Sequence, residues 1–212
     1  MLEPVLDRLI CLPQDQIAVG LKEALSKGAQ SAIESLGKPD GFLKNANVKI
    51  SMPKHLSMVE KGLPTIGQDE KADQFIEGMN RVAERAVPES ASVFGDANSN
   101  MSIEDAKGVL SGGDQFATES LQRTSTDSLK SRFRPIVDNA IGQVGVTKRY
   151  KDMVDKTGFA GGLIDTEKLD LGNYVTDKTL AGVFLMVGEG ERQIRKNPAA
   201  RTMELLKNIF AK

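Results

Sequence analysis

The stretch from Phe75 to Leu110 constrains this chain more than any other. Phe75, Ile76, Met79, Val82, Ala83, Ala86 and Val87 recur at spacings of three and four residues, which places them on one face of a helix. That face has to be covered by other parts of the chain. The opposite face carries Glu77, Asn80, Arg81, Glu84 and Arg85, and Glu77 can meet Arg81 across one turn. Pro88 brings no N–H donor in mid-pattern and should kink or break the helix, yet Ala91 and Phe94 resume the stripe, so a kinked central helix is expected. Gly95-Asp-Ala-Asn-Ser-Asn100 then reads as a polar break. Ser102 and Asp105 form a capping-box pattern for a helix whose Ile103, Ala106, Val109 and Leu110 face inward.

The remaining segments follow the same helical period. Leu2 to Leu12 is an N-terminal docking segment. Gln14 to Leu36 is the clearest long helix, with Ile17, Leu21, Ala24, Leu25, Ala29, Ala32, Ile33 and Leu36 on one face and Gly37 placed to end it. Gly20 and Gly28 each cost roughly 1 kcal/mol relative to Ala inside a helix, which points to a neighbour approaching closely there. Lys38-Pro-Asp-Gly-Phe42 reads as a turn, with Gly41 supplying the positive φ. Val48 to Met52 alternates apolar and polar residues, but five isolated residues make no sheet, so an extended connector laid on helices is expected. Leu56, Val59 and Leu63 suggest a short helix. Asp114 to Arg123 and Asp127 to Val144 read as two helices, the second starting at Thr126 and Asp127 and interrupted by Pro135. Tyr150 to Val154 is a weaker stretch. The Gly-rich loop 156–170 precedes a C-terminal helical pair, 171–212, divided at Pro198. The whole predicts an all-α fold: one domain over 1–212, an irregular bundle of roughly seven to nine helices.

Composition narrows function mainly by exclusion. The chain has 212 residues, 40% of them hydrophobic and 5% aromatic, so aliphatic and Met side chains must fill the core. A formal charge of −1 gives no electrostatic footprint for nucleic acid. Arg192 to Lys212 holds six basic residues against Glu204 alone, a distribution that complements a helix C-terminus. Cys11 is the single cysteine and reads as a small buried hydrophobe. The apolar run Val183 to Val187 is far short of the ~20 residues a transmembrane helix needs, and the opening residues show no signal peptide.

Catalytic signatures fare no better. Asp96-Ala-Asn-Ser-Asn100 places oxygen-bearing side chains as a calcium loop does, but Met101 stands where that loop needs Gly and Lys107 where it needs Glu. It therefore reads as a polar interhelical turn, and no metal ligand set is assigned. His55 is the only histidine, which excludes zinc sites built on several His or Cys ligands. No phosphate loop is present, and Gly158 to Gly162 lacks the spacing of a dinucleotide fingerprint, so no cofactor is implied. Carboxylate pairs such as Glu84 with Asp105, or Glu189 with Glu191, remain available to acid/base or metal chemistry.

Several stretches together resemble one bacterial family. They are Gly20-Leu-Lys-Glu-Ala-Leu25, Leu36-Gly-Lys-Pro-Asp-Gly-Phe-Leu43, Met79-Asn-Arg-Val-Ala-Glu-Arg-Ala-Val-Pro-Glu89, Met101-Ser-Ile-Glu-Asp-Ala-Lys-Gly-Val-Leu110, Tyr174-Val-Thr176 and Ile194-Arg-Lys-Asn-Pro-Ala-Ala-Arg-Thr202. In order, they look like the domain of unknown function 4197. The resemblance implies a helical domain, often made with an export signal in Gram-negative bacteria, hence a periplasmic or cell-envelope location, with no assigned activity. It implies a polar cluster of Asn80, Arg81, Glu84, Asp105 and Arg195. The chain departs from the family pattern at Ser120-Leu121, where an aromatic pair is usual, and at Gly190, where an acid is usual.

Three functional expectations follow. The first is a non-enzymatic envelope protein that binds a protein partner or an apolar small molecule between its helices, with Met52, Met58, Met79, Met101, Met153, Met186 and Met203 as adaptable lining. The second is a carboxylate- or metal-dependent hydrolase using Glu84 and Asp105, with Arg81 stabilising a developing anion. The third is a structural role in an assembly.

Overall fold

A computed structural model describes residues 14–53, 69–102, 105, 113–156 and 170–196. Among the described residues every regular element is a helix. They are α1 (Gln14–Leu36), α2 (Asp69–Ala86), a single 3-10 turn at Val87–Glu89, α3 (Ser90–Ser99), α4 (Phe116–Val144), α5 (Val146–Lys156) and α6 (Leu171–Lys196). The all-α class holds; seven to nine helices are not counted among these residues. Cys11, His55, the short helix expected after Pro53, the capped helix expected after Ser102 apart from Asp105, most of the Gly-rich stretch and the final helix expected after Pro198 lie outside them.

The chain forms two compact units, the first from residues 1–34, 90–128 and 183–212, the second from 35–89 and 129–182. In the first, Ala29, Ala32 and Ile33 of α1, Val93 and Phe94 of α3, Ala117 of α4 and Val183, Phe184 and Val187 of α6 are buried. Phe94 and Phe184 meet with ring centroids 5.8 Å apart in a tilted arrangement, as ring quadrupoles favour. Lys22 of α1 donates its ammonium to the Ser99 carbonyl at the end of α3, and Asn98 donates its amide to the Lys22 carbonyl. A cation thus sits at a helix C-terminus, where the dipole favours it. At Gly28 a Cβ would meet Ile194 at 3.9 Å, an ordinary contact. Close approach there does not require glycine.

In the second unit most of the predicted stripe on α2 is buried, Phe75, Met79, Val82, Ala83 and Ala86, continuing to Val87, while Ile76 is only half-buried. Leu129, Phe133 and Val137 of α4, Val146 of α5 and Val175 and Leu180 of α6 share that unit's core. Full burial of each such side chain contributes about 1.5–3 kcal/mol. Met52 and Met79 are buried here too, as packing. Arg149 of α5 donates to the Gln74 carbonyl of α2 at 2.9 Å.

Four local expectations are corrected. Of the kink or break expected at Pro88 the interruption forms, a 3-10 turn that separates α2 from α3, where its missing N–H breaks no long ladder, but beyond it only Phe94 resumes the buried stripe and Ala91 is exposed. Gly95 to Ser99 is helical, the last part of α3, and only Asn100 forms the turn. Third, α4 is one helix, not two. Thr126 and Asp127 do not start a helix, because the hydroxyls of Thr124, Ser125 and Thr126 donate to carbonyls one turn back and so stay within the helix. Pro135 lies inside α4; the helix ends instead at Gly145, whose φ of 71° is the left-handed stop.

The fourth concerns the turn after α1. Asp40, not Gly41, takes the positive φ, 68°. Gly41 is needed for a different reason: a Cβ there would lie 2.5 Å from the carbonyl oxygens of both Ser35 and Leu36. These are backbone atoms that cannot rotate away. Gly41→Ala is therefore expected to cost about 1–3 kcal/mol, as overpacking does, measurable as a lowered urea midpoint with unchanged slope.

Candidate functional site

The turn and connector from Lys38 to Met52 are held by three polar positions of α2, Asn80, Arg81 and Glu84. Val48, Ile50 and Met52 are buried while Lys49 and Ser51 are exposed, so the alternation is that of a strand without a strand beside it. Asn80 takes the strand's place. Its side-chain oxygen accepts the Ile50 N–H at 2.9 Å, and its amide nitrogen donates to the Ile50 carbonyl at 2.9 Å and to the Ile76 carbonyl at 2.8 Å. A primary amide presents one acceptor beside two donors, which suits both groups of one extended residue. Tyr174 of α6 donates its hydroxyl to the next carbonyl, Ser51, at 2.9 Å.

Glu84 lies one turn further along α2 and is 5% exposed. One carboxylate oxygen accepts the N–H groups of Phe42 and Leu43 at 3.2 and 3.4 Å, and the other accepts Arg81 at 2.9 Å. Arg81 also reaches Asp40 at 2.7 Å and Glu77 at 3.5 Å, and Asp40 in turn pairs with Lys44 at 2.7 Å. Glu84 and then Asp40 push the Arg81 guanidinium further toward its charged form. Lys44, followed by Arg81, holds Asp40 below the usual carboxylate range.

The first unit repeats the device at the start of α4. Glu191 of α6 is 6% exposed. One of its oxygens accepts the Ala117 N–H at 3.1 Å and Arg195 at 2.7 Å; the other accepts the N–H and hydroxyl of Thr118 at 2.8 and 2.7 Å. The first N–H groups of a helix have no internal partner, and a carboxylate there also meets the positive end of the dipole. In both units a buried glutamate binds two adjacent backbone N–H groups and is neutralised by an arginine one turn away on its own helix.

Of the residues marked in the sequence, Asn80, Arg81 and Glu84 come together in the second unit, with Asn80 and Glu84 on the buried side of α2 rather than on a solvated face. Asp105 and Arg195 belong to the first unit and are engaged separately. Asp105 accepts the Ser102 hydroxyl at 2.7 Å and the Ser102 N–H at 3.1 Å, while its own N–H donates back to that hydroxyl at 3.0 Å. This is the reciprocal capping box, and the Ser102 hydroxyl is the main cause lowering the Asp105 pKa. Sequence reasoning read Asp40 only as a turn residue, underrated Glu191 and missed Thr118. One signal was available: Glu84 and Glu191 fall near helix C-termini, where the dipole disfavours acids, so each needed a partner from outside its helix.

Lys196 pairs with Asp114 at 2.6 Å, and Asp170, which caps α6 by accepting the Asn173 N–H, also meets Arg134 at 3.0 Å. Asp40, Asp105, Asp114 and Asp170 are all shifted below the ordinary 3.8. A group whose folded pKa is depressed contributes stability above its unfolded pKa and loses it as pH falls through the folded value. Urea midpoints are therefore expected to stay flat above about pH 5 and to fall below about pH 4, with Asp170→Asn showing a shallower acid limb.

Among the described residues no group of three or more His, Cys, Asp or Glu side chains is placed to hold a metal ion. No helix among them is long and apolar enough to cross a membrane. A family model described as a protein of unknown function (DUF4197) matches residues 11–211. No curated protein and no solved structure matches the chain.

Proposed function

The chain belongs to the DUF4197 family of proteins of unknown function, and on that premise we propose that it is a non-enzymatic protein of the cell envelope that binds a protein partner or an apolar small molecule between its helices. What supports binding over catalysis is the engagement of the marked carboxylates. Glu84 is directed at the N–H groups of Phe42 and Leu43 and at Arg81, and Asp105 at Ser102. A general acid or base needs a carboxylate oxygen within hydrogen-bond reach of the substrate; both oxygens of Glu84 and one oxygen of the exposed Asp105 face the chain's own groups. The envelope location is what membership of a family often made with an export signal implies.

Native and denaturing mass spectra of the protein purified from its own source test this reading. A mass excess lost on denaturation identifies a bound small molecule. An apo mass combined with a stoichiometric crosslink to one envelope protein identifies a protein partner. An apo protein that forms no such crosslink and gains no thermal stability from a panel of fatty acids and other apolar compounds overturns the proposal.

A further inference from the structure

We draw no further inference here: the strongest candidate, the buried Thr176 hydroxyl on α6, which has no hydrogen-bond partner, carries nothing because no second unpartnered buried side-chain group among the described residues of its unit shows what would bind it.

Discussion

Replacing Glu191 by Ala is expected to lower stability by about 3–5 kcal/mol, the range for breaking a buried ion pair by removing one partner. Two effects act in the same direction. The Ala117 and Thr118 N–H groups and the Thr118 hydroxyl lose their acceptor, and Arg195, whose side chain is only 11% exposed, loses the carboxylate one turn away on its own helix. At about 2–4 °C per kcal/mol for a chain of this size, the melting temperature should fall by about 6–20 °C. Glu191→Gln separates the two effects: it keeps an acceptor for one N–H but removes the charge. Its expected loss lies between wild type and Ala. A double-mutant cycle with Arg195→Met then isolates the pair itself. The matching change at Glu84 should cost less, because Arg81 retains Asp40 and Glu77 and is 31% exposed, where solvent screens the charge. A Glu191→Ala protein within about 1 kcal/mol of wild type would show that the clamp at α4 does not form in solution.

The helices were legible because their signal is local. Gln14–Leu36 has the bounds its apolar period and Gly37 predict, and the buried face of α2 follows from Phe75, Met79, Val82, Ala83 and Ala86 alone. At the candidate site the misreading has another cause: a polar residue's partner lies at a distance the sequence does not show. Asn80 and Glu84 look like a solvated face until the turn at residues 40–50, some 30 to 42 positions away, is laid over them. The run from Arg123 to Ser128 looks like a boundary because Ser and Thr compete with helix, yet their hydroxyls can also satisfy carbonyls within it. Asp96 to Ser99 shows the same ambiguity, resolved toward helix by the bonds that Asn98 and Ser99 make with Lys22. The site was half visible. Family resemblance marks Asn80, Arg81 and Glu84, whereas Asp40 reads only as a turn residue and Glu191 only as one acid among many.

Asn80 carries the other large effect, and its variants report on a different kind of interaction. Asn80→Ala removes the partner of both Ile50 backbone groups at a fully buried position. An unsatisfied buried donor or acceptor costs about 1–3 kcal/mol, so a total of about 3 kcal/mol is expected. The loss should be local as well as global. The Ile50 amide, protected in wild type by Asn80, is expected to exchange at least roughly tenfold faster than the core amides of α2. Asn80→Asp sharpens the test, because it preserves shape and an acceptor for Ile50 N–H while pointing a carboxylate oxygen at the Ile50 and Ile76 carbonyls. Only the protonated acid can donate to them, so the folded state favours the neutral form and raises that pKa. By linkage the deficit is largest at neutral pH and shrinks as pH falls through the raised value toward the unfolded one, opposite to the acid sensitivity of the depressed carboxylates. A deficit that instead grows on acidification beyond that of wild type would place the introduced carboxylate away from the two carbonyls and remove the strand-like role assigned to Asn80.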